Sequence, residues 1–453
     1  MKGMNRNSRN SELLQMDDQH LIHPMHHQTG HSSARVWVKG KDSYLFDADG
    51  KRYIDGLSSV WNVSAGHARE ELAVAAFKQM NELAFATNYS GGSNRPAIEL
   101  AERMAAICYP SINNFYFTSG GGESTDSNIK LARHYWKVMG KPEKSKVISC
   151  LWGYHGSTFA ATCANGISAY WPSIEPLIPG FSHIPYPDPY RYQLTEGAES
   201  LGIAAANELE KEILEQGAET VAMFIVEPVQ GAAGVIVPPD DYFARIREIC
   251  DQYEVLLVAD EVITGFGRTG KMFGLEHSGI QPDLMQVAKA FTSGAAPLGA
   301  IGMSDTIAET IRSSNKPWMH AYTYSGHPTM CAVALANLDL VEKEDLVGLA
   351  ATNGETMLQL YRDALENHPH VGVVRGKGMM HGIEIVKDKS TGEVFEPELQ
   401  MGARLIQAML EKGLYTRVRG EVICSAPPLN TAPDILSEMV EIVHESIVEV
   451  VGT

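Results

Sequence analysis

From about residue 70 onward the chain alternates between two hydrophobic patterns. Segments such as REELAVAAFKQMNEL (69–83) and RPAIELAERMAAIC (95–108) space apolar residues three and four apart, as an amphipathic helix requires. Between them stand short runs that are apolar almost throughout: NFYFTS (114–119), KVISCL (146–151), VAMFIVEP (221–228), VLLVADEV (255–262) and LMQVAK (284–289). A strand with one wet face alternates, whereas a run without a polar face is buried on both sides. These runs therefore predict a parallel sheet covered by helices on both faces, an α/β fold. Upstream, RVWVKGKDSYLFDADGKRYIDG (35–56) reads as strands joined by turns at Lys39-Gly40 and Asp49-Gly50. Beyond residue 330 the pattern changes to long helices, 329–344 and 398–413, mixed with short strands such as MMHGIEIV (379–386). A smaller α+β domain is expected there, joined by the N-terminal strands. The implied division is an N-terminal segment 1–70 contributing to the small domain, a large domain 71–328 and a C-terminal small domain 329–453.

The 453 residues are 44% hydrophobic, enough for a sizeable core and more than one domain. Acidic residues (55) outnumber basic ones (37), a formal charge of -18 that repels phosphate backbones and argues against nucleic acid as a partner. No apolar stretch reaches membrane-spanning length, and the polar N-terminus has no signal-peptide core, so no membrane partner is expected. The six cysteines are scattered without Cys-x-x-Cys spacing, as in a reduced cytoplasmic protein. His20, His23, His26, His27 and His31 cluster in sequence, but no cysteines or acids complete a ligand set, and no metal site is expected.

Three strand ends have unusual chemistry, and in open α/β sheets ligands bind outside the carboxyl ends of the strands. At the first, FYFTSGGGE, a strand meets Gly120, Gly121 and Gly122 and then a helix beginning near Glu123. Bare backbone N–H groups at a helix N-terminus suit a phosphate, although a strand-to-helix turn also uses glycine. At the second, VLLVADEV, strand alternation puts Asp260 and Val262 on one side. One would meet a cationic ring nitrogen and the other the ring face. The later glycines, Gly265, Gly267 and Gly270, have the wrong spacing for a dinucleotide fingerprint and read as turn residues. The third is Lys289. Desolvation there would lower its pKa and make it nucleophilic, whereas a snorkelling lysine would merely cover apolar surface. A lysine for an aldehyde, a carboxylate for a ring nitrogen and backbone donors for a phosphate together match what pyridoxal 5′-phosphate demands.

These residues lie among ordered stretches, LWGYHGSTFAAT, FIVEPVQGAAGVIVPP, LLVADEVITGFGRTGKMFG, PDLMQVAKAFTSGAAPLGA, YTYSGHP and VICSAPPL. Together, from about Tyr44 to the end, they resemble the class III (ω-amino acid:pyruvate type) aminotransferases, fold type I enzymes with a mostly parallel seven-stranded sheet. The resemblance implies pyridoxal phosphate as cofactor, with Lys289 as its Schiff-base lysine and proton shuttle and Asp260 as partner of the ring nitrogen. Tyr154 and Val262 would face the ring. Gly121 and Gly122 would donate to the phosphate, and Gln230 would reach the ring hydroxyl. Glu227 is placed at the same strand end. Thr323 would reach the phosphate of a neighbouring subunit, implying a homodimer with interfacial active sites, or a tetramer built from it. Trp61, Tyr89 and Tyr154 would line the substrate pocket. Arg417 would bind a substrate carboxylate, with Arg419 competing for that role.

Relatives acting on ornithine or γ-aminobutyrate have an arginine where this chain has Cys424, which favours pyruvate over 2-oxoglutarate as acceptor. The implied reaction is a ping-pong transfer from an amine or ω-amino acid. A 2-oxoglutarate-dependent aminotransferase, an aminomutase or a decarboxylase would share most of these motifs, and a degenerate binding protein could keep the fold. Two departures stand out: Gly120-Gly121-Gly122 replaces the usual Ser-Gly-Ser, and Ala290 replaces the glycine after the lysine.

Overall fold

The computed structural model describes residues 6–25, 35–192 and 199–453. Of the N-terminal histidines, His26, His27 and His31 lie outside them, while His23 bonds Asp17 at 3.0 Å. A seven-stranded sheet forms the centre. Its order is Ile112–Thr118, Gly299–Ser304, Leu284–Val287, Leu256–Asp260, Val221–Val226, Lys146–Cys150 and Phe181–Ile184. Only Gly299–Ser304 runs antiparallel to its neighbours. Every residue of Val221–Val226 and of Leu256–Asp260 is buried, as their unbroken apolar runs demand.

Two of the seven strands were not evident as apolar runs. FSHI (181–184) is short and half polar at the sheet edge, and GAIGMS (299–304) is interrupted by glycine. The second glycine is required by packing, because a Cβ on Gly302 would stand 2.5 Å from an Ile112 methyl. The turn expected at Lys39-Gly40 is not there. Gly40 lies inside the strand Trp37–Lys41, which pairs with Tyr44–Asp47, and the chain reverses at Asp42. Gly40 serves close approach instead, since a Cβ would meet the His67 ring at 2.7 Å.

Two four-stranded sheets flank the central one. The strand Leu414–Tyr415 pairs in parallel with Arg52–Asp55, tying C-terminal chain to N-terminal chain. The other sheet contains Val371–Gly376, His381–Ile385, Val422–Ser425 and Arg417–Arg419. A separate apolar core, including Leu346, Met357, Ile383, Leu405 and Met439, packs these against the helices Leu346–Leu365, Met401–Glu411 and Pro433–Val451.

Candidate active site

The carboxyl ends of the central strands open into a cavity of about 490 Å³, with Gly121, Tyr154, Asp260, Val262 and Lys289 in its wall. On one side the helix Gly121–Val138 begins two residues before the expected start. Its first-turn N–H groups have no intrahelical acceptor and add the positive end of the helix dipole. The loop leading into it is fixed from behind. Thr118 Oγ1 lies 2.7 Å from Ser124 Oγ, which donates to the Gly120 carbonyl at 3.1 Å. A Cβ on Gly121 would come within 3.2 Å of both Val262 methyls, so glycine there keeps the cradle open. Gly120 has an extended φ of 174°, and a Cβ there would meet nothing within 4 Å.

Asp260 ends its strand, 3% exposed. Oδ2 lies 2.7 Å from His155 Nδ1, and Oδ1 accepts the Val262 N–H at 3.1 Å. The strand stops at Asp260, so Val262 lies in the following turn and strand alternation does not orient it. It reaches the cavity through that turn. His155 is itself buried, and its Nε2 has no partner among the described residues. A buried chain holds its backbone: Asn128 donates to Gln286 at 3.1 Å, Gln286 to Thr125 Oγ1 at 2.8 Å, and Thr125 to the His155 carbonyl at 2.6 Å.

Lys289 lies two residues beyond its strand, in a short helical turn, with φ at +49°. A lysine held in the left-handed region is uncommon and costs energy that the surrounding structure must supply. Burial pulls its amine down to about 8, against the opposing charges of Asp260 and Glu227, and Arg417 adds to the lowering. The neighbouring Ala290 points into the large core, and its carbonyl accepts from Asn337 at 2.9 Å.

Glu227 also reaches the cavity. Its carboxylate accepts the N–H groups of Tyr154 and Gly231, each at 3.0 Å. Burial nevertheless pushes it up to about 7, with Asp260 adding to the rise and His155 opposing it. Tyr154 Oη lies 3.0 Å from Ser157 Oγ.

Five expected site residues lie outside this cavity wall. Gln230 is buried and donates to the Leu151 carbonyl at 3.0 Å, leaving its Oε1 without a partner among the described residues. Trp61 is 1% exposed, has φ at +64°, and packs with Ile263, Val235 and Cys424. Tyr89 and Thr323 are exposed on the single chain. Arg417 is partly buried in the strand Arg417–Arg419, and its charge reaches both Lys289 and the Tyr170 phenol. Conversely, His155, Ser157, Thr158 and Ile263 line the cavity without having been expected there. The first three sit inside GYHGST beside Tyr154, where a histidine next to the tyrosine expected at the ring was the available signal.

A family model for class-III aminotransferases matches residues 25–447. The chain belongs to the class-III aminotransferases. This aminotransferase is 37% identical over 441 residues to the putrescine–pyruvate aminotransferase of Pseudomonas aeruginosa, covering 97% of this chain and 96% of that one. It is 37% identical to the diaminobutyrate–2-oxoglutarate transaminase of Halomonas elongata, covering 91% and 89%. Among solved structures, a thermostable (S)-enantioselective ω-transaminase from Thermomicrobium roseum superposes with a TM-score of 0.94 at 44% identity, covering 97% and 99%. The aminotransferase is thus a fold type I enzyme dependent on pyridoxal phosphate. Its own residues fit that cofactor: a helix N-terminus kept open by glycine, a buried carboxylate and a lysine with a lowered pKa share one cavity.

Proposed function

We propose that this aminotransferase moves an amino group from an amine or ω-amino acid to pyruvate by a ping-pong mechanism. The observation behind the acceptor is the pairing of Arg417 with Cys424 across the hairpin. Cys424 is 1% exposed in an apolar cluster with Trp61, Val235 and Ile263, and burial pushes its thiol up to about 11. Among the described residues, Arg417 is the one arginine whose charge acts on Lys289. Arg417 facing a small apolar side chain, with no second arginine at position 424, suits a keto acid with one carboxylate and a short side chain. The relative named for putrescine and pyruvate supports the same choice.

Pyridoxal phosphate, when bound, supplies an aldehyde to take up the amino group and a ring that withdraws electrons from the donor carbon. Lys289 would hold that aldehyde, and its Nζ would serve as the base that moves the donor carbon's proton. Asp260 would keep the ring nitrogen protonated, and His155 orients Asp260 through Nδ1. The backbone of Gly121 and Gly122 would hold the phosphate, with Thr323 of a second copy completing it in a homodimer. Tyr154 and Val262 would bracket the ring, Gln230 and Glu227 would support it, and Trp61, Tyr89 and Arg417 would shape the substrate end. Residues 71–328 would form the cofactor-binding domain, with 1–70 and 329–453 making the smaller one.

The test is a panel of amine donors offered with pyruvate or with 2-oxoglutarate. Alanine should form faster than glutamate, and Arg417→Ala should depress the reaction of carboxylate substrates far more than that of simple amines. Faster glutamate formation would overturn the acceptor assignment.

A further inference from the structure

A second, larger cavity of about 840 Å³ lies away from Lys289, and Trp152 and Arg419 stand together in its wall. Arg417 and Arg419 are two apart on one short strand, so they share a face. The intervening Val418 packs against the C-terminal core on the other side. Neither arginine has a carboxylate partner among the described residues, although the cavity wall includes Asp188, Glu384, Glu396 and Glu421. Glu384 is engaged by Arg191 and Arg375, and Glu396 by Lys387. Asp188 accepts the Tyr190 N–H at 2.9 Å, and Glu421 accepts the Phe395 N–H. Burial and the neighbouring Arg417 both work against the charge on Arg419. Two adjacent guanidinium groups left without an anion are costly unless one arrives with a ligand.

Arg419 is also pre-positioned. Its guanidinium lies 4.7 Å from the centre of the Trp152 ring. That tryptophan is half exposed and has φ at +65°, a strained conformation for a bulky residue. Tyr170 feels both arginines and stands with its ring 5.8 Å from that of Tyr154, which borders the Lys289 cavity. The Arg419 corner therefore adjoins the reaction site, one step farther out than Arg417.

We propose that Arg419, stacked on Trp152, is an outer anion subsite that takes a substrate's negatively charged group lying beyond the reach of Arg417. This rests on the transaminase reading for its role in turnover, though not for the binding itself. The anionic group would belong to the tail of an extended amine donor.

Binding is measured first, on the cofactor-loaded enzyme, by calorimetry with adipate against hexanoate. Adipate should bind at least tenfold tighter in the wild type. Arg419→Gln should erase that advantage, and Arg419→Lys should restore part of it. Equal binding of the two probes in the wild type, or an advantage that survives Arg419→Gln, would overturn the proposal. The role in turnover is then read from half-reactions, comparing 6-aminohexanoate with hexylamine and 2-oxoglutarate with pyruvate. In Arg419→Gln the loss, about tenfold in kcat/KM and chiefly through KM, should fall on 6-aminohexanoate, and a loss confined to 2-oxoglutarate would overturn the donor-tail assignment. A loss shared equally by hexylamine would mark a structural role and refute the subsite. If adipate shows its Arg419-dependent advantage but no amino transfer occurs with any donor, the anion subsite stands and the transaminase reading of its role falls.

Discussion

Burial and Arg417 hold the Lys289 amine near pH 8 instead of 10.5, against the opposing charges of Asp260 and Glu227. That lowering is worth about 3 kcal/mol and raises the neutral fraction at pH 7.5 from about 0.1% to about a quarter. Replacing Asp260 by Asn removes an anion that favours the ammonium, so the amine should titrate lower still. Replacing Arg417 by Gln should move it upward. The assay is the rate at which an amine-reactive reagent labels Lys289 in cofactor-free protein, followed by peptide mass spectrometry across pH 6 to 11. A wild-type inflection near pH 8 is expected, with Asp260→Asn below it and Arg417→Gln above. A second readout follows from linkage. The unfolded chain binds the extra proton between about pH 8 and 10.5, so this residue makes the cofactor-free protein more stable as pH rises through that window. Lys289→Met should remove that slope. An inflection near 10.5 in the wild type, or variants in the reverse order, would mean that burial, Asp260 and Arg417 do not set this amine's titration.

His155→Ala removes the side-chain donor to the buried Asp260, a bond to a charged group worth about 1.5–3 kcal/mol. Cofactor dissociation should speed up and turnover should fall, and unchanged release kinetics would count against the positioning role. Gly120→Ser should fold with an unaltered melting temperature, because its Cβ enters open space, and should tighten cofactor binding by adding a hydroxyl at the loop. No tightening of the measured Kd would show that the backbone donors suffice. Gly299→Ala is expected to be costly, since its Cβ would stand 2.5 Å from Thr118 Oγ1 and 3.0 Å from the Gly120 carbonyl carbon. Overpacking of this kind costs about 1–3 kcal/mol, visible in chemical denaturation, and it should loosen the phosphate loop as well. Thr323→Ala should weaken cofactor retention at protein concentrations that favour association and have no effect on dilute, dissociated chain. Equal retention in both regimes would argue against a role across a subunit interface.

Much of this was legible in the chain because burial on both faces leaves strands with no polar positions. The five apolar runs matched five strands to within a few residues, whereas Phe181–Ile184 and Gly299–Ser304 lacked that signature. Asp260 and Lys289 stood out because charged residues at the ends of such runs are chemically expensive. His155 did not, because only the folded chain brings its ring to Asp260, 105 residues away. The choice between Arg417 and Arg419 was likewise hidden. Both lie on one strand face, and their separate surroundings depend on Trp152 and on the distant Lys289. Val262 joined the cavity for a different reason from the one alternation suggested, since a turn had replaced the strand by then.

The cofactor is expected to react in the cavity shared by Gly121, Asp260 and Lys289. Reduction of the pyridoxal-phosphate-loaded protein with borohydride, followed by mass-spectrometric mapping of the modified peptide, reports where it is attached. The adduct should lie on Lys289 in the wild type and disappear in Lys289→Ala. A stoichiometric adduct on another lysine, or none on Lys289, would contradict that placement.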